Sequence, residues 1–464
     1  MPTLDVSELN VVVAVLGGFA LFHGLFAVWI KSVWYLGEAL PAFAIGVILG
    51  PIAGKFLDPE RWGSAAPGQE ATITLGVMRV MIGIQLVIAG YQLPAKYPRW
   101  HCKELAICLI PVMALMWLST SMCVLATIPN LSLLATLVIG GCATSTDPIL
   151  SQNVAKGPFA DKYVPRHLRE IMSAEAGASD GFASPFLMLS VNLMRLSIGR
   201  PEAIIDRRDR GVGSHPGDIG LAIGNWVIET LVYLVLLASV YGIVTGFCAR
   251  KAIRFSLSRK WIDTESYLLF PTTLGLFIIG TCGAIGTSDL LACFVAGCAL
   301  NWDGQFLTET EQRHDEVNSC IDVLLNFGGF MYVGATVPWG EFHQPVTTGV
   351  TLPRLLSLAI LVLLFRRIPA LLITYKAMPS VVKNWKEAVL MGYFGPIGVG
   401  AVYYLEHTRL LFNEGNPREK ALVDALHPGT WKQDISPTST NIAWKSSIFS
   451  YRLRSLFMAS LFQY

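Results

Sequence analysis

The sequence predicts an all-α membrane protein, a polytopic helical bundle of 12 to 13 spans, and three observations support this prediction. Only 15% of the 464 residues are charged, whereas soluble domains carry about 25%. Hydrophobic residues make up 53% of the chain, and its mean hydropathy is +0.51. The apolar residues also recur in runs of about 20, the length that a helix needs to cross the hydrocarbon core.

Twelve apolar runs are long enough to be read as spans. They fall at 10–30, 34–53, 71–93, 104–128, 131–153, 167–194, 218–247, 266–286, 288–301, 318–338, 354–375 and 386–405. Helix-breaking residues interrupt two of them in mid-span: Pro148 in the fifth, and Gly395, Pro396 and Gly398 in the twelfth. Transporters unwind helices at such points to expose backbone groups to an ion. Two breaks roughly 250 residues apart therefore favour an inverted-repeat fold over two tolerated kinks.

The basic residues predict the orientation of the chain. With the N-terminus outside, the inner connections carry 17 Lys and Arg against 8 in the outer ones, as the positive-inside rule requires. Twelve spans would leave the C-terminus outside, and a thirteenth would return it inside. We divide the chain into a transmembrane domain at 1–410 and a short polar C-terminal tail at 411–464.

The composition argues against other classes of protein. A net charge of +2 gives no basis for binding nucleic acid. The nine cysteines are scattered and form neither a Cys-x-x-Cys pair nor a ligand cluster. We therefore expect no disulfide framework, no metal cofactor and no other cofactor.

Two aspartates, Asp147 and Asp180, lie inside apolar spans. A carboxylate at bilayer depth costs at least ~2.5 kcal/mol, so it usually marks an ion or proton path. Asp147 stands between Thr146 and Pro148, and the proline removes a backbone donor. The freed carbonyls, the hydroxyl and the carboxylate are hard oxygen ligands suited to Na⁺ or Li⁺. The alternative is a helix N-cap before proline, which we rank second inside an apolar span.

The second aspartate has small neighbours, Ser179 and Gly181, which leave room for an ion. A carboxylate here could exchange a proton for a cation. Glu175 lies five residues before Asp180 and therefore on a different face of a helix. We interpret Glu175 as one half of a buried salt bridge, ahead of a direct role in ion binding.

The base that pairs with Glu175 is expected among the buried arginines. Arg366 and Arg367 are adjacent within an apolar run, and Arg79 is a second candidate. The alternative for the doublet is a helix end whose side chains snorkel to the membrane surface. Asp289 and Asp322 begin apolar stretches, where we expect helix caps ahead of vestibule residues.

One motif suggests a different chemistry. Gly177-Ala-Ser179-Asp-Gly181 matches the G-x-S-x-G nucleophile elbow, which needs a strand before it and a helix after it. Here both flanks read as a span. An intramembrane serine protease using Ser179 is therefore a remote alternative, and it would need a nearby histidine. His23 is the only histidine well inside a predicted span.

An ordered set of motifs between residues 10 and 410 carries a family resemblance. The motifs are Thr144-Ser-Thr-Asp-Pro148, Pro165-Arg-His-Leu-Arg169, Ser173-Ala-Glu-Ala-Gly-Ala-Ser-Asp-Gly181, Asp289-Leu-Leu-Ala-Cys-Phe-Val-Ala-Gly297, Arg366-Arg-Ile-Pro369 and Tyr393-Phe-Gly-Pro-Ile-Gly-Val-Gly400. Together they resemble the fungal plasma-membrane Na⁺/H⁺ antiporters of the monovalent cation:proton antiporter superfamily.

The resemblance implies a homodimer whose core contains two broken, crossing helices. It implies exchange of cytosolic Na⁺ or Li⁺, often K⁺, for external protons by alternating access. The site residues that it implies are the ion ligands Asp147, Thr146 and Asp180, with Ser179 beside them, and a buried charge pair of Glu175 with Arg366 and Arg367. Asp289 and Arg79 would be accessory residues.

The sequence departs from the family pattern at three points. Ser179 stands where the family usually has asparagine, and Ser288 replaces the first of two acids before Leu-Leu-Ala-Cys. The family's final span is not recognisable after the Gly-Pro-Ile-Gly-Val-Gly helix, which suggests a truncated C-terminus. An inactive antiporter-like protein and a cation channel are therefore alternatives, although no filter-like repeat supports a channel.

Overall fold

The computed structural model describes residues 8–29, 38–50, 54, 57, 69–129, 131–148, 151, 163–197, 219–313, 317–337, 339, 342–343, 345 and 349–411. Most of these residues are helical. The helices are α1 (Glu8–Trp29), α2 (Ala39–Leu49), α3 (Gln69–Tyr91), α4 (Cys102–Thr127), α5 (Leu133–Cys142), α6 (Arg166–Phe182), α7 (Ser184–Ser197), α8 (219–258), α9 (Thr264–Ile285), α10 (Asp289–Leu300), α11 (Gln305–Gln312), α12 (Val317–Ala335), α13 (Leu352–Phe365), α14 (Ile368–Thr374), α15 (Trp385–Tyr393) and α16 (Val399–Leu411).

The prediction of an all-α membrane protein with broken helices is confirmed. Within the described ranges, six helical segments are long and apolar enough to cross a membrane, and α10 with α11, bent by 79°, forms a seventh candidate. Among the other predicted spans, 318–338 is the single 19-residue helix α12, and the rest consist of shorter helices in the part of the chain that the structure describes. The span at 131–153 gives α5 of only 10 residues, and the span at 386–405 is divided into α15 and α16. A length criterion misses these two spans because a non-helical segment interrupts each of them.

The two predicted breaks lie against each other. α5 ends at Cys142 and α15 ends at Tyr393, and the chain is not helical at 143–147 and 394–398. The backbone N–H of Asp147 donates a hydrogen bond to the carbonyl of Pro396 at 3.0 Å. Two elements that are distant in sequence therefore meet at their unwound segments, inside the helical bundle.

Helix α3 is central to the packing and contacts α9, α10, α12 and α16. Its contact with α10 is made backbone to backbone. A Cβ atom at Gly297 of α10 would collide with the carbonyl oxygen of Val87 and would lie 3.1 Å from the Cα of Gly90. Close approach through glycine is how membrane helices gain van der Waals contact where no hydrophobic effect drives them together.

Helix α8 packs on the other side of α10 by the same means. Gly242 and Gly246 lie one turn apart on α8, and Ala292 and Ala296 face them from α10. This is the small-xxx-small pattern of membrane helix pairs. The opposite face of α8 is apolar and exposed; its exposed residues include Val240, Ile243, Val244 and Phe247. That face is suited to contact with lipid.

The predicted tail at 411–464 lies outside the described residues, apart from Leu411. The predictions of a thirteenth span and of a truncated C-terminus concern the same segment. The division into two parts therefore stays a prediction.

Replacing Gly297 with alanine tests the backbone contact between α3 and α10. The new methyl group would force the two helices apart, and overpacking of this kind typically costs about 1–3 kcal/mol. We expect a lower thermal unfolding temperature in detergent. The matched control is Gly280→Ala on α9, where an added Cβ meets nothing within 4 Å and alanine favours the helix. Equal unfolding temperatures for the two variants would contradict the proposed contact.

Candidate functional site

Asp147 lies in the first break and is directed at the start of α16. Its carboxylate is buried, and Oδ2 accepts a hydrogen bond from the backbone N–H of Val399 at 2.7 Å. The first N–H groups of a helix have no partner inside the helix, and they carry a partial positive charge. Asp147 therefore accepts from a backbone N–H that would otherwise be buried without a partner. The negative charge of its carboxylate is also favoured at the N-terminus of α16.

Two glycines allow both aspartates to approach α16. A Cβ atom at Gly398 would overlap the carboxylate of Asp147, and one at Gly400 would overlap Oδ1 of Asp180. No side chain other than hydrogen fits at either position without moving a carboxylate. The first turn of α16 is therefore the point at which Asp147 and Asp180 converge, although they are 33 residues apart in the chain.

The Asp180 carboxylate is the least satisfied polar group of the site. It projects from α6, is 1% exposed, and neither of its oxygens accepts a hydrogen bond from the described residues. The Ser145 hydroxyl and Asp180 Oδ1 both lie beside Gly400. Buried carboxylates almost always have donors, because an unpaired one is costly. A carboxylate in this condition is suited to binding a proton or a cation.

Thr146 and Ser179 bind each other. Their hydroxyl oxygens are 2.8 Å apart, and the Ser179 hydroxyl also accepts a hydrogen bond from the Thr146 backbone N–H at 3.2 Å. These contacts hold the first break against α6. The Ser179 hydroxyl is 3.1 Å from the carbonyl of Ala176, so its hydrogen bonds go to Thr146 and its own helix rather than to a histidine. This arrangement does not resemble a serine nucleophile and its base.

Arg366 connects the two breaks. Its Nη1 donates to the carbonyl of Gly395 at 2.9 Å, and its Nη2 donates to the carbonyl of Ser145 at 2.7 Å. These carbonyls follow the C-terminal ends of α15 and α5, where a cation is favoured. One guanidinium thus satisfies acceptors from both unwound segments. The sequence left the partner of Glu175 open among Arg366, Arg367 and Arg79, and in the structure the guanidinium of Arg366 donates to these carbonyls.

The buried ion pair is made by Glu175 and Arg367. Arg367 Nη2 donates to Glu175 Oε2 at 2.7 Å, and the two side chains are 5% and 1% exposed, respectively. Arg367 lies at the junction of α13 and α14, so the adjacent arginines point to different partners. A side chain at Gly395 would collide with the Arg367 guanidinium. The pair therefore ties α6 to the α13–α14 junction, and Arg367 packs against the second break at Gly395.

Arg79 and Asp289 form a separate ion pair, between α3 and the first residue of α10. Asp289 Oδ1 also accepts from the backbone N–H of Leu290 at 3.1 Å. Arg79 is thus paired away from Glu175. The prediction that Asp322 caps a helix is wrong, because α12 begins at Val317 and Asp322 lies within it. Its Oδ1 accepts a hydrogen bond from the side-chain amide of Gln85, on α3, at 2.8 Å.

Sequence reasoning missed Tyr404 and Ser145. The Tyr404 hydroxyl donates to the backbone carbonyl of Asp180 at 2.5 Å, which fixes α16 against α6. Neither residue type stands out in a sequence. The one usable signal was their position: Ser145 precedes the Thr-Asp-Pro break, and Tyr404 follows Gly400 by one turn.

Comparisons with known proteins give consistent matches. A family model described as sodium/hydrogen exchanger, transmembrane, matches residues 13–409. The Na⁺/H⁺ antiporter 2 of Zygosaccharomyces rouxii is 36% identical over 400 residues, which are 86% of this chain and 46% of that protein. A Na⁺/H⁺ antiporter of Schizosaccharomyces pombe is 31% identical over 411 residues, which are 88% of this chain and 82% of that protein.

The chain spans less than half the length of the Zygosaccharomyces rouxii relative. Among solved structures, the sodium proton antiporter MjNhaP1 from Methanocaldococcus jannaschii at pH 8 superposes with a TM-score of 0.65. It is 14% identical, and the match covers 98% of this chain and 96% of that chain. At that identity the likeness supports the fold.

Removing one partner of the Glu175–Arg367 pair should strongly destabilise the protein. Arg367→Met leaves a buried carboxylate uncompensated, a change that typically costs about 3–5 kcal/mol. We expect a lower thermal unfolding temperature in detergent, and a smaller loss in the double variant Glu175→Gln/Arg367→Met. Arg259→Met, at an exposed arginine, is the control and should change little. A double variant no more stable than Arg367→Met would argue against a specific pair.

Proposed function

Since the chain belongs to the sodium/hydrogen exchanger family, we propose that it is a secondary active antiporter that exchanges Na⁺, or Li⁺ and K⁺, for H⁺. The observation that carries this proposal is the Asp180 carboxylate, which is buried and accepts no hydrogen bond among the described residues. It faces the same helical turn as the second buried carboxylate, Asp147. The named relatives, both Na⁺/H⁺ antiporters, support the same activity.

In this proposal Asp180 binds a proton or a cation, but not both. Two carboxylates beside one turn of α16 attract a monovalent cation, and one proton removes half of that negative charge. Thr146 and Ser179 supply neutral oxygens beside them, as hard ligands for Na⁺ or Li⁺. Because the two ions compete for one group, loading one from one side requires release of the other. Exchange follows if the site is open to only one side at a time.

The other charges of the core keep the site in place in this proposal. Arg366 and the Glu175–Arg367 pair hold the two breaks whether Asp180 carries a proton or a cation. The Asp289–Arg79 pair lies off the site and is accessory. None of these groups needs to release its partner during exchange, so the framework of the site stays the same while Asp180 changes its bound ion.

We further propose that the protein is a homodimer in the plasma membrane that serves salt tolerance and cation homeostasis. The family resemblance and the match to named fungal antiporters support this assignment. Light scattering of the purified protein in detergent would measure its mass, and a monomer at all concentrations would contradict the dimer.

Asp180→Asn should abolish exchange without unfolding the protein. The amide has nearly the shape of the carboxylate but binds neither a proton nor a cation by charge. In proteoliposomes, added Na⁺ or Li⁺ should dissipate a preset pH gradient with the wild type and only at the protein-free rate with the variant. Thermal unfolding should show no loss of stability. Asp263→Asn, at an exposed helix cap, is the control. Na⁺-driven proton flux at the wild-type rate in Asp180→Asn would refute the assignment.

Growth of a salt-sensitive yeast that lacks its own antiporters tests activity in a cell. Expression of the chain should restore growth on Na⁺, Li⁺ and K⁺, and Asp180→Asn should not. If the wild-type chain is folded in the membrane but restores no growth on any of the three ions, the protein is the inactive antiporter-like alternative.

Two assays separate the remaining alternatives. A channel would give single-channel conductance steps in a planar bilayer, and we expect none. A protease would be labelled at Ser179 by a serine-directed fluorophosphonate probe. We expect no labelling, since Ser179 is 1% exposed and its hydroxyl contacts Thr146.

A further inference from the structure

A cavity with both charged and apolar walls lies at the end of α8, away from the two aspartates. Its volume is about 510 Å³, and its lining includes Arg250, Arg254, Tyr267, Asp303, Gln305 and Thr308. Ligand sites typically have about 300–1,000 Å³. We infer that this cavity binds the phosphate headgroup of an anionic phospholipid. This inference is independent of the exchange reaction and of the Asp147–Asp180 site.

The charges of the cavity favour an anion. Arg250 and Arg254 lie one turn apart on α8 and share a single carboxylate: Asp303 forms an ion pair with Arg254 and lies 3.8 Å from Arg250 Nη1. The other acid of the lining, Glu309, is 3.6 Å from Arg313 Nε. Two guanidinium groups thus share one carboxylate, so the Arg250–Arg254–Asp303 cluster has a net charge of about one positive unit.

Arg250, one of the lining residues, has an unused hydrogen-bond donor. Its Nε is buried and has no hydrogen-bond partner among the described residues. The guanidinium lies 3.9 Å from the centre of the Phe247 ring, which fixes its plane. A planar, fixed guanidinium with a free N–H is well suited to a phosphate oxygen, because charge-assisted hydrogen bonds to phosphate are strong and directional.

The position of the cavity along α8 points to a lipid as the source of the phosphate. The exposed apolar face of α8 leads through Val244 and Phe247 directly to Arg250. Beyond the arginines, Trp261 is 71% exposed and packs edge-on against Phe255. Exposed tryptophan marks the membrane–water interface. The arginines therefore lie between a hydrocarbon-facing surface and an interfacial aromatic pair, at the depth of lipid phosphates.

The orientation predicted by the charge bias places this end of α8 on the inner side. Anionic lipids are concentrated in the cytoplasmic leaflet, where they attract basic residues near the surface. A bound lipid would lay its acyl chains along the exposed face of α8. A soluble phosphate lacks those chains and would gain only the headgroup contacts, so the structure favours the lipid over free phosphate.

The test uses the full chain in detergent, with phosphatidylserine, phosphatidylcholine or inorganic phosphate added. Two readouts are taken: thermal unfolding and lipid retained in native mass spectrometry. We expect phosphatidylserine, but neither phosphatidylcholine nor inorganic phosphate, to raise the unfolding temperature. In Arg250→Gln/Arg254→Gln, retention of phosphatidylserine should fall roughly tenfold, as expected for loss of a charge-assisted hydrogen bond. Arg259→Gln, outside the cavity lining, should retain it as the wild type does.

A second variant guards against simple misfolding of the first. Asp303→Asn removes the competing carboxylate, so phosphatidylserine retention should rise. The proposal is overturned if Asp303→Asn lowers retention, if the arginine variant retains phosphatidylserine normally, or if phosphatidylcholine binds equally well. An equal stabilisation by inorganic phosphate would show a free-phosphate site instead of a lipid site. Because none of these readouts measures transport, the result does not depend on whether the proposed exchange is correct.

Discussion

Inside a membrane the backbone groups of an interrupted helix have no water to bind, and this constraint shapes the centre of the protein. Two helices break at the same place, which leaves carbonyls and N–H groups from both without helical partners. Arg366 satisfies carbonyls from both breaks, and Asp147 accepts from the first N–H of α16. A further hydrogen bond joins the breaks directly, from the backbone N–H of Asp147 to the carbonyl of Pro396. The remaining features of the core follow from this arrangement.

The charges of the core divide into those that support the breaks and one that remains free. Glu175 is bound to Arg367, and Arg366 is occupied by carbonyls. Asp147 already accepts a backbone hydrogen bond, so part of its capacity is used. Asp180 alone among these has no donor from the described residues. In the proposed exchange it is therefore the group whose occupant can change without disturbing the fold.

The surrounding helices reach their tight contacts through small residues. Glycines on α3 and α8 bring both helices against the backbone of α10, and glycines at the start of α16 admit the two carboxylates. Glycine thus allows close helix packing around α10 and makes room for the two carboxylates at the start of α16. The long helix α8 also joins the buried core to the membrane surface, where its two arginines form the proposed lipid site.

Local chemistry allowed the sequence to predict the membrane class and the two helix breaks, and to single out Asp147 and Asp180, which are both buried in the structure. Low charge, apolar runs and mid-span proline or glycine act over a few residues, so they are readable without a fold. The partners of the buried charges were not readable. Glu175 and Arg367 are 192 residues apart, and the neighbouring Arg366 was an equally good candidate by sequence. Only the packing of α6 against the junction of α13 and α14 decides between them, because adjacent side chains at a helix break point in different directions.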